Sequence, residues 1–145
     1  MNIPKSLRVL TFLGFFFSGC TGEGKFKDSV KLNQYMVEGM QLYRQHCANC
    51  HQVDGSGLAA LIPPLKQSDY LQKMEKSQLS CQIRYGLNKE IIVNGVSFNQ
   101  QMPGIPQLQP LEIAEIVTYV KNTWSEDGGL YSVKQAEQDL QKCLD

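Results

Sequence analysis

Cys47-Ala48-Asn49-Cys50-His51 is the stretch of this chain on which the interpretation of the rest depends. Two thiols three positions apart on one helical turn face the same side, and the next residue adds an imidazole. Such a pair could be a redox dithiol or half of a zinc site. A redox dithiol of the thioredoxin type should follow a strand, but an amphipathic helix precedes this pair. A zinc site needs a second ligand pair, and the remaining candidates, Cys81 and Cys143, lack that spacing.

The interpretation that these five residues favour is covalent attachment of one haem. The thiols of Cys47 and Cys50 would form thioethers with the two vinyl groups, and His51 would bind the iron. Because so short a pattern can also arise by chance, the surrounding sequence has to support it.

A second axial ligand is needed for a six-coordinate iron, and methionine is the expected type. The candidates are Met1, Met36, Met40, Met74 and Met102. Met1 leaves with the leader, Met36 and Met40 precede the motif on the same helix, and Met74 lies in a polar segment as a solvent-facing or core residue. Met102 lies in a loop stiffened by prolines, residues 101–106, which can hold a thioether without helical constraints. We predict Met102 as the ligand. His46 directly precedes Cys47 and cannot reach the opposite haem face.

The composition is typical of one globular domain with a short leader. The chain has 145 residues, 42% of them hydrophobic and 19% charged, which suffices for a modest core and argues against disorder. Lys plus Arg number 14, as do Asp plus Glu, so there is no formal net charge. A nucleic-acid surface would need a basic excess, and we therefore expect no nucleic-acid partner.

Residues 1–19 have the three-part organisation of a secretory signal. A basic start precedes an apolar run, residues 9–17, that is too short to span a bilayer, which needs roughly 20 residues. The ending in Cys20 resembles a bacterial lipoprotein signal, in which the cysteine is acylated and becomes the new N-terminus. Cleavage without lipid and an uncleaved anchor are the alternatives. Residues 20–33 are rich in glycine and charge and are predicted to form a flexible tether, with the folded domain over 34–145.

The region from Tyr35 to Trp124 resembles the class I c-type cytochromes. In that family a glycine and an aromatic residue lie eight and four positions before the first haem cysteine, which corresponds to Gly39 and Tyr43. An aliphatic residue and a tyrosine of the last helix pack on that pair, which corresponds to Ile116 and Tyr119. A glycine at the crossing would let the two helices approach closely.

The resemblance also implies a role for Pro63, which lies two residues before Leu65. In the family, the carbonyl of such a proline accepts a hydrogen bond from the ring N–H of the haem histidine, which raises the basicity of the imidazole. The implied fold is all-α and cytochrome c-like, with three core helices around one haem, at about 34–46, 77–85 and 110–124. A tight turn is expected at residues 93–96, where any strands would be minor.

An added C-terminal helix is predicted beyond the region of resemblance. Ser132 and Gln135 form a capping-box pattern, and the apolar residues that follow, Cys143 included, fall on one helical face. We expect this helix to fold back on the domain, with partner binding as the alternative. Of five cysteines, one is assigned to lipid and two to haem, which leaves Cys81 and Cys143. Thiols of an exported protein oxidise, so these two are predicted to form a disulfide.

The function that these patterns predict is one-electron transfer rather than enzymatic catalysis, because two protein ligands leave no open position on the iron. The expected protein is a lipid-anchored, periplasm-facing carrier that exchanges electrons with redox protein donors and acceptors. The alternatives are a permanent haem subunit of a larger membrane oxidoreductase complex and, third, a haem sensor or enzyme with a vacant iron position.

Overall fold

The computed structural model of the chain describes residues 23–143, with side chains described from Asp28 onward. Within this range the chain forms six helices and four short strands. The helices are α1 Glu23–His46, α2 Ala48–His51, α3 Asp69–Lys73, α4 Lys76–Tyr85, α5 Pro110–Trp124 and α6 Val133–Leu140. The strands are β1 Gly86–Leu87, β2 Ile91–Val93, β3 Val96–Phe98 and β4 Met102–Pro103. The three predicted core helices correspond to the second half of α1, α4 and α5.

The packing of α1 against α5 depends on a glycine at the point of closest approach. A Cβ atom built on Gly39 would lie 2.1 Å from the Glu115 carbonyl oxygen and 2.8 Å from the Tyr119 Cβ, so no other residue fits without moving a helix. Tyr43, one turn further along α1, is fully buried. Its ring centroid lies 5.5 Å from that of Tyr119 and 5.0 Å from that of Trp124. Aromatic packing thus fills the space that the glycine opens.

The predicted tether is corrected by the structure over residues 23–33. These residues are helical and form the first turns of α1, while Cys20 lies outside the described residues. The segment has no proline, and lysine and leucine are good helix formers. Once the packed part of α1 has formed, each further turn adds hydrogen bonds without a new nucleation cost. The glycine and charge content of the segment therefore did not prevent a helix.

Helix α6 folds back on the domain, against α4 and α5. Ser132 caps it, since its hydroxyl accepts from the Gln135 N–H and the Gln135 side chain accepts from the Ser132 N–H. Ala136 and Leu140 are buried at the contact. The buried Tyr131 hydroxyl donates to Asp139 at 2.8 Å. Polar and apolar contacts together hold this helix on the domain.

The strands form two small antiparallel pairs, and both lie beside a cleft that Cys47, Cys50 and His51 also line. β2 pairs with β3 through the turn at Asn94 and Gly95, both of which have positive φ. The Asn94 side-chain oxygen accepts from the N–H of Asp69, at the start of α3. The Asn94 N–H in turn donates to the Asp69 carboxylate. β1 pairs with β4, with Leu87 opposite Met102. These contacts attach the loop between α4 and α5 to the start of α3 and to the end of α4.

A buried lysine joins α5 to the end of α3. Lys121 is fully buried, and its Nζ donates to the carbonyls of Leu71 at 3.0 Å and Met74 at 2.8 Å. The same atom lies 2.6 Å from a carboxylate oxygen of Asp127. Carbonyls at the end of a helix lack the usual N–H partner four residues on, and the lysine donates to two such carbonyls. Helical spacing from Ile113 and Val117 puts position 121 on the core face, but a lysine there does not register in an apolar pattern.

Candidate functional site

The five-residue cysteine motif forms a short helical turn directly after α1. The Cys47 N–H donates to the Tyr43 carbonyl at 2.8 Å, and the His51 N–H donates to the Cys47 carbonyl at 2.9 Å. Cys47 and Cys50 are both free thiols, Cys47 partly buried and Cys50 exposed. Burial raises the pKa of the Cys47 thiol to about 12, with a smaller effect from Cys50. The two thiols border the same cleft as His51.

The imidazole of His51 is oriented by the carbonyl of Pro63. The Nδ1–H of His51 donates to this oxygen at 3.2 Å, which leaves Nε2 with a free lone pair. Burial lowers the pKa of His51, and the bond to Pro63 opposes that shift only in part. The ring is therefore neutral near pH 7, which is the state that binds a metal.

Gly57 is a site residue that sequence reasoning did not assign. Its N–H donates to the His51 carbonyl at 3.0 Å, and its φ is +70°. A Cβ atom at this position would lie 2.4 Å from the Ile62 carbonyl oxygen and 2.8 Å from the Pro63 carbonyl oxygen. Only glycine lets the Pro63 segment come close enough to reach His51. No local pattern in the sequence indicates that residue 57 contacts residues 62–63.

Two methionines line the cleft, Met74 and Met102. Met102 lies on β4 and is partly buried. Met74 is buried at 7% exposure among the core residues, so its predicted solvent-facing alternative is wrong and its core alternative agrees with the structure. Met36, Met40 and His46 do not border the cleft. The structure thus brings together Cys47, Cys50, His51, Pro63 and Met102, with Met74 as a neighbour.

The cleft that these residues share is apolar and large. Its volume is about 980 Å³, including the part that opens to solvent. Aliphatic and aromatic side chains form most of its wall: Ile62, Leu65, Leu71, Leu79, Ile83, Leu87, Ile91, Val93, Phe98, Ile116 and Val120. An apolar cleft with two thiols, a neutral imidazole and a thioether fits a covalently attached haem.

The other two cysteines of the described residues are joined to each other. Cys81 on α4 and Cys143 after α6 form a disulfide with a Cα–Cα distance of 5.6 Å. They therefore cannot complete a zinc site with Cys47 and Cys50. Between residues 23 and 143 no three His, Cys, Asp or Glu side chains are grouped as a metal site would require. The same part of the chain has no helix that is both long and apolar enough to cross a membrane.

Comparisons with known proteins identify the family of this chain. The cytochrome c family model matches residues 36–124, and the chain belongs to the cytochrome c family. It is 33% identical over 93 residues to two forms of cytochrome c-552 from Thermus thermophilus. The matched stretch is 62% of this chain and 70% and 62% of those relatives. The expected cytochrome c fold is thereby confirmed.

Two further similarities are more distant. The cytochrome c subunit of a quinone alcohol dehydrogenase from Gluconacetobacter polyoxogenes is 29% identical over 93 residues. The matched stretch is 63% of this chain and 20% of that subunit. Among solved structures, the c-type cytochrome XoxG from Methylobacterium extorquens AM1 aligns with a TM-score of 0.46 at 19% identity, covering 75% of this chain and 67% of that one. Membership of the family implies covalently bound haem c and electron transfer.

Proposed function

We propose that this chain holds one haem c through Cys47 and Cys50, with His51 and Met102 as axial ligands, and transfers single electrons. The observation that carries this proposal is the shared cleft, in which both thiols, the oriented imidazole and the thioether meet an apolar wall. When bound, the haem supplies a reversible one-electron centre, and methionine ligation raises its potential.

The residues of the chain have distinct tasks in this proposal. Cys47 and Cys50 anchor the group covalently, so it stays bound in both oxidation states. Pro63 holds the His51 ring in the Nδ1–H form, so that Nε2 faces the metal. The apolar wall excludes water and limits solvent reorganisation around a change of charge. If His51 and Met102 both bind the iron, no open position would remain for a substrate, which favours electron transfer over catalysis.

Met102 is favoured over Met74 by its surroundings. β4 is a two-residue strand, Met102 and Pro103, followed by a loop that contains Pro106. Met102 is not part of the cluster of buried core residues among the described residues. Met74 is a core residue whose carbonyl accepts from Lys121. A thioether committed to core packing would have to leave that packing to bind a metal.

Matched alanine variants test the ligand assignment. The oxidised holo-protein should show the weak near-infrared band of sulfur-to-iron charge transfer. Met102→Ala should abolish this band, lower the potential and let carbon monoxide bind, whereas Met74→Ala should keep the band and lose stability by about 2–5 kcal/mol. Loss of the band in Met74→Ala alone would contradict the assignment. Rapid carbon monoxide binding by the wild-type protein would favour the sensor or enzyme alternative.

We further propose that the protein is an exported carrier anchored to the membrane by lipid on Cys20. The support is the signal-like start of the chain and its ending in cysteine. Cys20→Ser should release the protein from the membrane fraction or block removal of the leader. Unchanged membrane retention of this variant would remove Cys20 as the anchor.

A permanent subunit of an oxidoreductase is the second candidate. It is favoured by the similarity to the cytochrome c subunit of a quinone alcohol dehydrogenase. Mild detergent extraction followed by size-exclusion chromatography separates the two candidates. A carrier should elute as a single chain, and a subunit should co-elute with a fixed stoichiometry of other chains.

A further inference from the structure

Three backbone attachments hold the segment that carries Met102 against the end of α4. β4 pairs with β1, with Pro103 opposite Gly86 and Met102 opposite Leu87. The Ile105 N–H then donates to the Ile83 carbonyl at 2.9 Å. The loop thus runs beside the last turn of α4 and the two residues that follow it.

The two backbones touch at a pair of glycines. A Cβ atom on Gly104 would lie 2.6 Å from the Tyr85 carbonyl carbon and 2.8 Å from the Gly86 nitrogen. A Cβ atom on Gly86, whose φ is +82°, would lie 2.5 Å from the Met102 carbonyl oxygen. Since neither backbone can shift toward the other, the position of Met102 follows the position of the end of α4.

A single side chain completes this attachment. Nη1 of Arg84, on the last turn of α4, donates to the Pro106 carbonyl at 2.6 Å. Within residues 23–143 the side chain of Gln109, which directly precedes α5, also donates to this segment, to the Gln107 carbonyl at 3.4 Å. Arg84 is the side chain that bonds the segment from α4. A guanidinium is a strong donor, and its bond from α4 to the Pro106 carbonyl restrains the part of the loop that follows Met102.

The Nε atom of Arg84 argues against a purely stabilising role for this side chain. Its Nε is buried and has no hydrogen-bond partner among the described residues. A buried unpaired donor opposes folding, so the side chain is not optimised for the stability of the domain. Replacing Arg84 by methionine removes the bond to Pro106 and the unpaired Nε together, and the two effects on stability oppose each other.

We propose that Arg84 is a positioning residue that keeps Met102 within reach of the iron. This inference rests on the proposed ligation by Met102. Arg84 does not border the cleft, so it acts through the loop and not by contact with the haem. Loss of its bond to Pro106 lets the loop move away from α4 and weakens the hold of the thioether against competing ligands.

The test compares variants of the oxidised holo-protein by the near-infrared band, by imidazole titration and by thermal unfolding. Arg84→Met should weaken the band and raise the apparent affinity for imidazole about tenfold, which corresponds to about 1.4 kcal/mol. Arg84→Lys keeps a cationic donor and should give an intermediate affinity, which also decides the matter if the methionine variant fails to fold. The matched control is Lys76→Met, since Lys76 also lies on α4 and donates to a loop carbonyl, that of Gly128, at 2.7 Å.

The outcomes separate the two proposals. A wild-type protein without the band would overturn Met102 ligation and with it the role of Arg84. A wild-type band that persists in Arg84→Met and Arg84→Lys, with unchanged imidazole affinity, would overturn the role of Arg84 alone. An equal rise in imidazole affinity in Lys76→Met would also overturn it, because the effect would then be a general loosening of α4.

Discussion

Replacing Lys121 by methionine should remove the anchor that joins α5 to the end of α3. The lysine is fully buried, and its ammonium group uses all three protons, on the carbonyls of Leu71 and Met74 and on the carboxylate of Asp127. Methionine has a similar unbranched stem, so packing is largely kept. The change therefore isolates the polar contacts of the ammonium.

The magnitude follows from what each partner has left. The Met74 carbonyl loses its partner in a buried place, which costs about 1–3 kcal/mol. The Leu71 carbonyl still accepts from the Met74 N–H at 3.3 Å and loses the stronger of its two bonds. The Asp127 side chain is 48% exposed and can be hydrated, so its loss is about 0–1 kcal/mol. Together these losses lower the free energy of unfolding by about 3 kcal/mol, or the Tm by about 10 °C.

The assay is urea unfolding of the holo-protein, followed by far-ultraviolet circular dichroism. Lys134→Met, at an exposed position of α6, is the control and should change the free energy of unfolding by no more than about 0.5 kcal/mol. Asp127→Asn should fall between the two, because it leaves both carbonyl contacts in place. A Lys121→Met protein as stable as the Lys134→Met control would refute the reasoning.

Two other predictions concern α6 and the β2–β3 turn. Cys143→Ser removes a disulfide that closes a loop over 62 residues, and it should lower the free energy of unfolding in guanidinium by about 4 kcal/mol. A reductant should destabilise the wild type and leave the variant unchanged. Equal sensitivity of both proteins to the reductant would contradict this prediction. The N–H of Asn94 and, less strongly, the charge of Lys73 hold the pKa of Asp69 below its ordinary 3.8. A carboxylate with a lowered pKa stabilises the fold above pH 3.8 and loses this contribution as the pH falls through its folded value. The stability difference between wild type and Asp69→Asn should therefore shrink from pH 6 to pH 3, and a constant difference would contradict the assignment.

Much of the candidate site could be predicted because its residues lie close together in the sequence. Cys47, Cys50 and His51 lie on one helical turn, and that turn places all three on one cleft. The role of Pro63 was implied by the family resemblance, and in the structure its carbonyl accepts from His51. The core helices follow from apolar residues at helical intervals, since burying one face of a helix requires that period. The cysteine count likewise led to the pair that the structure joins.

The features that escaped prediction depend on residues far apart in the chain. Lys121 meets carbonyls 47 and 50 positions away, and Arg84 meets one 22 positions away. The sequence around a residue contains no information about a partner so far away in the chain. From the sequence alone, a buried lysine in an apolar helix face cannot be distinguished from a solvated lysine. Residues 23–33 became helical because the packed half of α1 had already met the nucleation cost. Local spacing was thus sufficient to predict the groups proposed to bind the haem, whereas the arrangement that holds them depends on backbone contacts which exist only once the chain has folded.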